Sequence, residues 1–541
     1  MTVASSEPTA AATDSELVGS AVEVVTAEQR LLGPASFSLR TGELVAVIGP
    51  SGSGKTTLLR ALAGVTALGA GSVTLDSEPI ASRARDVGFL PERGTVHDLL
   101  TVREALEYTV ALRRPDLGSV DSGHIDEVIA ELNLSQRADA QLAELSRGER
   151  KRAEVAVELI VDPEMLLLDE PGTGLDPGLN RRLMRTLRSI ADRGRGVCLI
   201  THETGSLGLC DRVVVMAPGG SIAFDGPPEE APEFFEVDDL DAIYEQLEPA
   251  SEAPEAGTYE QTRLERAPLA LDQPFGRQTL ILADRDRKLL FRSSRTLALT
   301  LAQAPIIGLL IGLVLPTDVL SNPALAGFNG VLISFMLLIG AIFMGVNATA
   351  RTIIGELGIL ERETAAGVRT DAYIAAKALV AFPLIVVQTV VLFAVTVFLQ
   401  PLNSPPDVYT QVLVLVILAG IAAAAMGLAV SARVRTTSQA AASVPLLLIP
   451  QLLFAGAIVP VAVMPPVVNL IPNLMIARWG LAGIGEALGL SNGVSGDVSS
   501  VAGYDPQFFV TPSGISVVVL AGATIIAQSI AAGGLNRKLV G

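Results

Sequence analysis

The sequence predicts an α/β phosphate-loop domain followed by an all-α membrane domain of six transmembrane helices. Three observations predict this order. A strand-like run, Leu44 to Ile48, enters Gly49-Pro-Ser-Gly-Ser-Gly-Lys-Thr-Thr57, and a helix-forming run to Ala63 leaves it. Half of the 541 residues are hydrophobic and 18% are charged, with a mean hydropathy of +0.48, which is more apolar than a water-soluble domain needs. Apolar segments long enough to cross a bilayer recur only after residue 296.

The loop comes first because its chemistry is the most specific. Gly49 and Gly54 close G-x-x-x-x-G-K-T, completed by Lys55 and Thr56. Strand, glycine-rich turn and helix N-terminus are the context a phosphate-binding loop requires. Glycines let backbone N–H groups curl around an anion, and the helix dipole adds partial positive charge. Gly49, Ser51, Gly52, Ser53, Gly54 and Thr57 are therefore expected around phosphates. Lys55 is expected to reach the β- and γ-phosphates, and the Thr56 hydroxyl to ligate Mg²⁺.

The charge balance excludes one class of partner. Net charge is −18, and no Lys or Arg occurs between Glu229 and Glu260. Nucleic acid needs a basic face, so it is not expected as a partner. The two cysteines, Cys198 and Cys210, fit a reducing compartment without a disulfide framework. Residues 1–20 are rich in Ala, Ser, Thr and Glu, with no basic head or apolar core. They read as a disordered tail rather than a secretory signal. Everything before Thr296 is expected to be cytosolic.

Further along, Gly71 to Asp76 and Val87 to Leu90 read as short strands, the second running into a loop at Glu92. Thr101 is placed to cap a helix, with Glu104 three residues on. Ser146-Arg-Gly-Glu-Arg-Lys-Arg152 opens a helix whose apolar face carries Val155, Leu159 and Ile160. Met165 to Leu168 is an apolar strand ending in Asp169 and Glu170, followed by Pro171-Gly-Thr-Gly-Leu-Asp176. Val197 to Ile200 is another, ending near His202.

These signals, in this order and spacing, make residues Val22 to Glu236 resemble the nucleotide-binding domain of an ABC transporter. Ser-x-Gly-Glu-Arg-Lys-Arg followed by Val-Ala-Val-Glu-Leu-Ile is similar to the G (white-type) subfamily. The resemblance implies ATP and Mg²⁺ as ligands. It implies Asp169 in the Mg²⁺ shell, Glu170 acting on the attacking water and His202 at the γ-phosphate. Ser146, Gly148 and Glu149, at a helix N-terminus, would touch ATP held by a second copy, and Asp176 would link the two sites. Two chains would then enclose two nucleotides. The sequence departs from the pattern at Glu92, where the family carries Gln, and at Arg147, where it carries Gly. Glu92 can still ligate Mg²⁺. Either the two substitutions offset each other's charge across a dimer, or Arg147 points to solvent and Glu92 serves the metal alone. The aromatic residue that stacks adenine upstream of the loop is missing.

The remaining domain divisions are a nucleotide-binding domain at 21–236, an acidic Pro-rich linker at 237–276, an amphipathic connecting helix at 277–295 and a membrane domain at 296–541. The connecting helix sets Leu280, Leu282, Leu289, Leu290 and Phe291 among Arg285, Arg287, Lys288 and Arg292, as a helix lying on a membrane surface does. Spans are expected at 296–315, 324–346, 374–399, 412–430, 443–463 and 515–533. Arg and Lys cluster before the first, between the second and third, between the fourth and fifth, and after the sixth. Positive residues mark the cytosolic side, so both ends are expected in the cytoplasm of a multi-pass plasma-membrane protein.

The loop Gly355 to Thr364 resembles the subfamily's coupling helix, and Pro465 to Leu490 its re-entrant segment. The resemblance also implies a transport route lined by the second and fifth spans, where the sequence offers Phe335, Met336, Phe343, Met344, Asn347, Gln451 and Phe454. These suit a lipid or other hydrophobic or amphipathic small molecule. The expected function is ATP-driven export of such a substrate by a homodimeric half-transporter in contact with membrane lipids. The alternatives are a non-translocating ATPase that transmits force to a partner, and one half of a heterodimeric exporter. Short external loops weigh against the first. Glu170 and His202 are both present, so the chemistry needs no different partner.

Overall fold

The computed structural model describes residues 14–26, 29–83, 85–92, 96–114, 122–240, 242–247, 273–314, 326–493 and 505–540. The chain divides into two units. One contains residues 1–273 and 358–368, the other residues 274–357 and 369–541.

The first unit holds two sheets. Strands β1 (Glu16–Val25), β2 (Arg30–Arg40), β4 (Ala70–Leu75) and β5 (Glu78–Pro79) form an antiparallel sheet in the order β2-β1-β4-β5. The second sheet has the order β10-β9-β3-β8-β7-β6. Its members are β3 (Leu44–Ile48), β6 (Val87–Leu90), β7 (Met165–Asp169), β8 (Gly196–Ile200), β9 (Arg212–Met216) and β10 (Ile222–Gly226). All its pairings are parallel except β9 with β10. Every residue of β3, β7 and β8 is buried, as expected of a parallel sheet covered on both faces.

Helices α1 (Lys55–Leu62), α2 (Ile80–Arg83), α3 (Val102–Arg113), α4 (Ser122–Glu131), α5 (Arg147–Leu159), α6 (Pro177–Asp192), α7 (Ala231–Phe234) and α8 (Ala242–Leu247) complete this unit's main body. The expected cap at Thr101 is present, with Glu104 closing a reciprocal box. Ser146 and Glu149 form a second such box at the start of α5.

One boundary needs correction. Residues 16–20, expected in a disordered tail, form the start of β1. Leu17 pairs with Leu39 and Leu75 and is fully buried, so its side chain belongs to the core between the sheets. Residues 1–13 of that tail, and 248–272 of the linker, lie outside the described residues.

The second unit is helical. It contains α9 (Phe275–Arg292), α10 (Ser294–Val314) and α11 (Ala326–Thr349). Helix α12 (Leu357–Ala365) comes next in the chain, and its residues from Gly358 onward belong to the first unit. The second unit resumes with α13 (Thr370–Leu399), α14 (Pro406–Arg433), α15 (Thr437–Leu453), α16 (Ile476–Ala487), α17 (Leu490–Gly493) and α18 (Ser513–Val540). Among the described residues, five helices are long and apolar enough to cross a membrane.

The fifth expected span differs from the other five. It is expected at 443–463, but the helix runs from Thr437 to Leu453, 17 residues, or about 26 Å at 1.5 Å per residue. Pro445 and Pro450 lie inside it, and neither can donate a helical hydrogen bond. The chain leaves the helix at Phe454, and Gly456 takes the left-handed φ of +92°. The 12-residue α16, at the expected re-entrant position, is about 18 Å long, too short to cross alone.

Helices α11 and α14 approach closely at small residues. A Cβ on Gly345 would meet the Gly420 carbonyl oxygen at 2.3 Å, and one on Gly427 would meet Thr349 Oγ1 at 2.1 Å. Thr349 Oγ1 donates to the Ala424 carbonyl at 2.8 Å across this contact.

Helix α9 departs from simple amphipathicity. Gln278, Arg285 and Asp286 are buried, while Leu280 and Phe291 are exposed. Asp286 turns inward because it pairs with Lys377 of α13, with Lys377 Nζ 3.1 Å from Asp286 Oδ1. The apolar side chains turned outward remain available to a membrane surface.

Candidate functional site

The site is built at the C-terminal ends of neighbouring parallel strands. β3 runs into the loop, β7 ends at Asp169, and β8 lies between them in the sheet and leads to His202. Strand order therefore brings together residues that lie more than a hundred positions apart.

The loop has the backbone an anion cradle requires. Gly49, Gly52 and Gly54 have φ of +142°, +81° and +87°. At Gly49 there is also no room for a side chain, because a Cβ would sit 2.3 Å from the Met216 carbonyl oxygen. Helix α1 starts at Lys55 with no side-chain cap and no acid in its first turn, so its N–H groups face the loop uncapped. Ser53 Oγ is buried without a hydrogen-bond partner. The buried Lys55 donates to the carbonyls of Gly49 at 2.7 Å and Pro50 at 2.8 Å. Burial pushes its amine pKa down, while Glu170 and Asp169 pull it back up. An uncapped helix start, an orphaned hydroxyl and a buried cation together fit a polyphosphate.

A divalent metal fits beside it. Thr56 Oγ1 donates to Asp169 Oδ1 at 3.2 Å, which sets two hard oxygen donors side by side. Burial, reinforced by Glu170 and Glu92, pushes the Asp169 carboxyl up to about 6, with the Thr56 hydrogen bond opposing. A cation would relieve this crowding of carboxylates. Among the described residues no three His, Cys, Asp or Glu side chains converge as a complete metal cluster. Thr56, Asp169 and Glu92 would therefore share the ion with phosphate and water oxygens, as Mg²⁺ sites do.

Glu170 and His202 are in direct contact, with His202 Nε2 and Glu170 Oε1 2.9 Å apart. Glu170 Oε2 accepts from Thr173 Oγ1 at 2.6 Å. Glu170 also has φ of +49°, a conformation that costs a non-glycine residue energy and aims its side chain off the strand. Thr173 was not foreseen as part of this site. Its spacing, three residues after a catalytic-type carboxylate in a tight turn, is the signal that could have found it.

The remaining predicted residues are placed elsewhere on the same unit. Ser146 and Arg147 are exposed at the start of α5, and Gly148 is buried against Leu179. Glu149 spends its carboxylate on the Ser146 backbone N–H, 2.9 Å away, and on Arg137 Nε, 3.1 Å away. Asp176 caps α6, accepting from the N–H groups of Gly178 and Leu179 at 2.9 and 3.0 Å. Ser51, Thr56 and Glu92 are exposed and Thr57 is half-buried. Arg147 Nη1 lies 3.5 Å from the Gly174 carbonyl, and Lys151 Nζ donates to the Glu92 carbonyl at 3.3 Å.

A buried ionic group at the other end of α5 was also missed. Glu158 is fully buried, accepts from Arg113 Nη1 at 2.8 Å, and lies 3.5 Å from Arg362 Nη1. Arg362 belongs to the 358–368 segment, where a coupling helix was expected. An acid on the apolar face marked by Val155 and Leu159 was the available signal.

In the second unit, the expected lining of a transport route is only partly accessible. Phe335, Met344 and Gln451 are buried inside the chain's own core, whereas Phe343 is exposed and Met336, Asn347 and Phe454 are half-buried. Gln451 Oε1 accepts from the Ala477 N–H at 3.0 Å, which ties α15 to α16.

Comparison with known proteins agrees with this division. Residues 32–173 match the family described as ABC transporter, and residues 277–487 match the family described as ABC-2 type transporter. An ABC transporter ATP-binding/permease protein of Mycobacterium tuberculosis is 34% identical over 502 residues, covering 88% of this chain and 58% of that protein. Nod factor export ATP-binding protein I of Burkholderia lata is 37% identical, over 36% of this chain and 64% of that protein. ABC transporter G family member 14 of Arabidopsis thaliana is 35% identical, over 38% of this chain and 34% of that protein. The chain thus spans less than two thirds of the length of each of these relatives.

Proposed function

Since the chain belongs to the ABC transporters, with its ATP-binding part ahead of an ABC-2 type membrane part, we propose that it hydrolyses Mg·ATP to drive export of a hydrophobic or amphipathic molecule across the plasma membrane. The observation that carries this reading is the convergence of the loop lysine, the Thr56–Asp169 pair and the Glu170–His202 pair at adjacent strand ends.

In this reading, loop N–H groups and Lys55 bind the phosphates, and Thr56, Asp169 and Glu92 would hold Mg²⁺, whose charge would offset that of the phosphates. Glu170 orients or deprotonates the attacking water, and His202 donates to the phosphate oxygen where charge grows. One chain carries one loop and one Ser146 helix start. Ser146 and Arg147 are exposed, so they can face the nucleotide of a second copy, and the exposed Asp176 at the start of α6 would link the two sites. A homodimer with two composite sites follows. A relative named for Nod factor export supports the direction of transport. Arg and Lys clustered in alternate loops support cytoplasmic termini.

The test is Glu170→Gln in the full chain in lipid nanodiscs. Phosphate release should fall by at least 100-fold while ATP still closes the dimer, read by cross-linking between copies. Turnover that persisted would remove Glu170 from its role. ATPase stimulation by candidate lipids and amphipathic drugs in the same discs would identify the substrate class.

A further inference from the structure

Arg478, in the first turn of α16, carries a charge that the chain does not balance. Its Nε and Nη1 are buried without a hydrogen-bond partner, and no acid among the described residues acts on the guanidinium. The two described acids nearest in sequence are engaged elsewhere. Glu486 accepts from the Ser513 N–H at 3.3 Å, and Asp505 accepts from the Gln507 N–H at 2.9 Å. Two rings hold the guanidinium instead, its Cζ lying 4.2 Å from the centre of Trp479 and 5.7 Å from that of Phe508. Ring faces attract a cation but give its N–H groups no oxygen to bond. Of the three nitrogens, only Nη2 is left open to a ligand.

The position is as unusual as the lack of a partner. Arg478 is the only Lys or Arg in 316–323, 400–411 and 464–514, the three connections that alternate with the positively charged ones. Membrane topology gives no reason for a cation there. Helix α16 has no side-chain cap and no acid in its first turn, so the positive end of its dipole adds to the same charge. The adjoining surface is apolar: Leu470 and Leu474 are exposed. Trp479 Nε1 donates to the Asn473 carbonyl at 2.9 Å, which ties that apolar turn to the start of α16.

We propose that Arg478 binds the phosphate of an anionic phospholipid through Nη2, with the lipid's acyl chains against the apolar turn at Leu470 and Leu474. Arginine suits a phosphate because its planar N–H fork matches the oxygens. A zwitterionic head is a poorer fit, since no acid stands beside the guanidinium to take its ammonium. The inference goes beyond the transport reading, because binding here requires neither ATP nor a second copy.

Trp479 is the only tryptophan of the chain, so its fluorescence reports on this site alone. The test places the full chain in bilayers and measures quenching of Trp479 by phosphatidylglycerol or phosphatidylcholine brominated on the acyl chains. Each brominated lipid is diluted into the unbrominated other. One cation near an anionic head changes binding about fivefold, so phosphatidylglycerol should reach half-maximal quenching at about one fifth of the phosphatidylcholine fraction. Arg478→Met keeps an apolar stem between the rings and should bring the two lipids level, whereas Arg478→Lys should keep part of the preference. If Arg478→Met does not fold, the unmodified chain and Arg478→Lys still decide. Millimolar inorganic phosphate should leave the preference unchanged, and its loss in phosphate would place a soluble anion at Arg478 and overturn the lipid assignment. Equal quenching by both lipids in the unmodified chain, or a preference that survives Arg478→Met, would overturn the proposal. So would an absence of quenching by either lipid, the result expected if a second copy covers this surface. Nothing in the experiment reads hydrolysis or transport, so failure would leave the transport reading intact.

Discussion

Three side-chain clusters of the first unit lead to distinct expectations. Asp169 has its carboxyl raised to about 6 from an ordinary 3.8. A folded-state pKa above the unfolded one means the folded protein holds the proton more tightly between about pH 4 and 6, so stability falls as pH rises through that window. In EDTA and without nucleotide, the melting temperature should therefore decline from pH 4 to 6 more steeply in the wild type than in Asp169→Asn. Identical slopes would mean that the carboxyl titrates normally. Glu158 gives a different expectation, because it is buried between Arg113 and Arg362. Arg113→Met removes its closer partner and should cost about 3 kcal/mol, whereas pairing that change with Glu158→Met should recover much of the loss. Chemical denaturation of the four proteins in detergent would show it as strong non-additivity. At Glu92 and Arg147, the structure points neither side chain at the other within one chain: Arg147 reaches the Gly174 carbonyl, and Lys151 holds the Glu92 backbone. Charge compensation across a dimer would appear as coupling between Glu92→Gln and Arg147→Gly in ATPase rate, and strict additivity would end that idea.

At the level of helices and strands, what could be read from sequence depended on whether the cause was local. The loop, the Thr101 capping box and the buried strands were legible because each is specified within a few residues: glycines where φ is positive, Thr101 with Glu104, and unbroken apolar runs at β3, β7 and β8. The start of β1 was misread because its composition resembles a tail. Leu17 is core only because Leu39 and Leu75, far along the chain, flank it. The end of α15 was misread because hydropathy continues past Leu453 while the backbone does not. The inward turn of Asp286 was hidden because its partner, Lys377, is 91 residues away. Helix packing offers a sharp test. Gly345→Ala would place a methyl group 2.3 Å from the Gly420 carbonyl oxygen. Backbone cannot yield as a side chain can, so α11 and α14 should separate at a cost of about 1–3 kcal/mol. A lower melting temperature with faster hydrogen exchange in both helices is expected, and an unchanged protein would mean the two helices are not in close contact there.

The whole molecule acts, in the proposed reading, only as a pair, and its geometry makes that separable from action by one chain. If each site joins the loop of one copy to the Ser146 helix start of the other, Lys55→Ala and Ser146→Arg each disable both sites of their own homodimer. Mixed dimers behave differently. One site then inherits both defects, and the other inherits neither, because the intact loop and the intact serine come from opposite chains. Co-expressing the two variants should give about half mixed dimers, each with one whole site, as a two-fold interface requires. Occluded nucleotide, measured after affinity selection for both tags, should approach one per mixed dimer and be near zero in either homodimer. A chain that built its site from its own Lys55 and its own Ser146 would show no such rescue, since each copy would keep its own defect. Measuring occlusion rather than turnover keeps the outcome readable even if hydrolysis needs both sites filled.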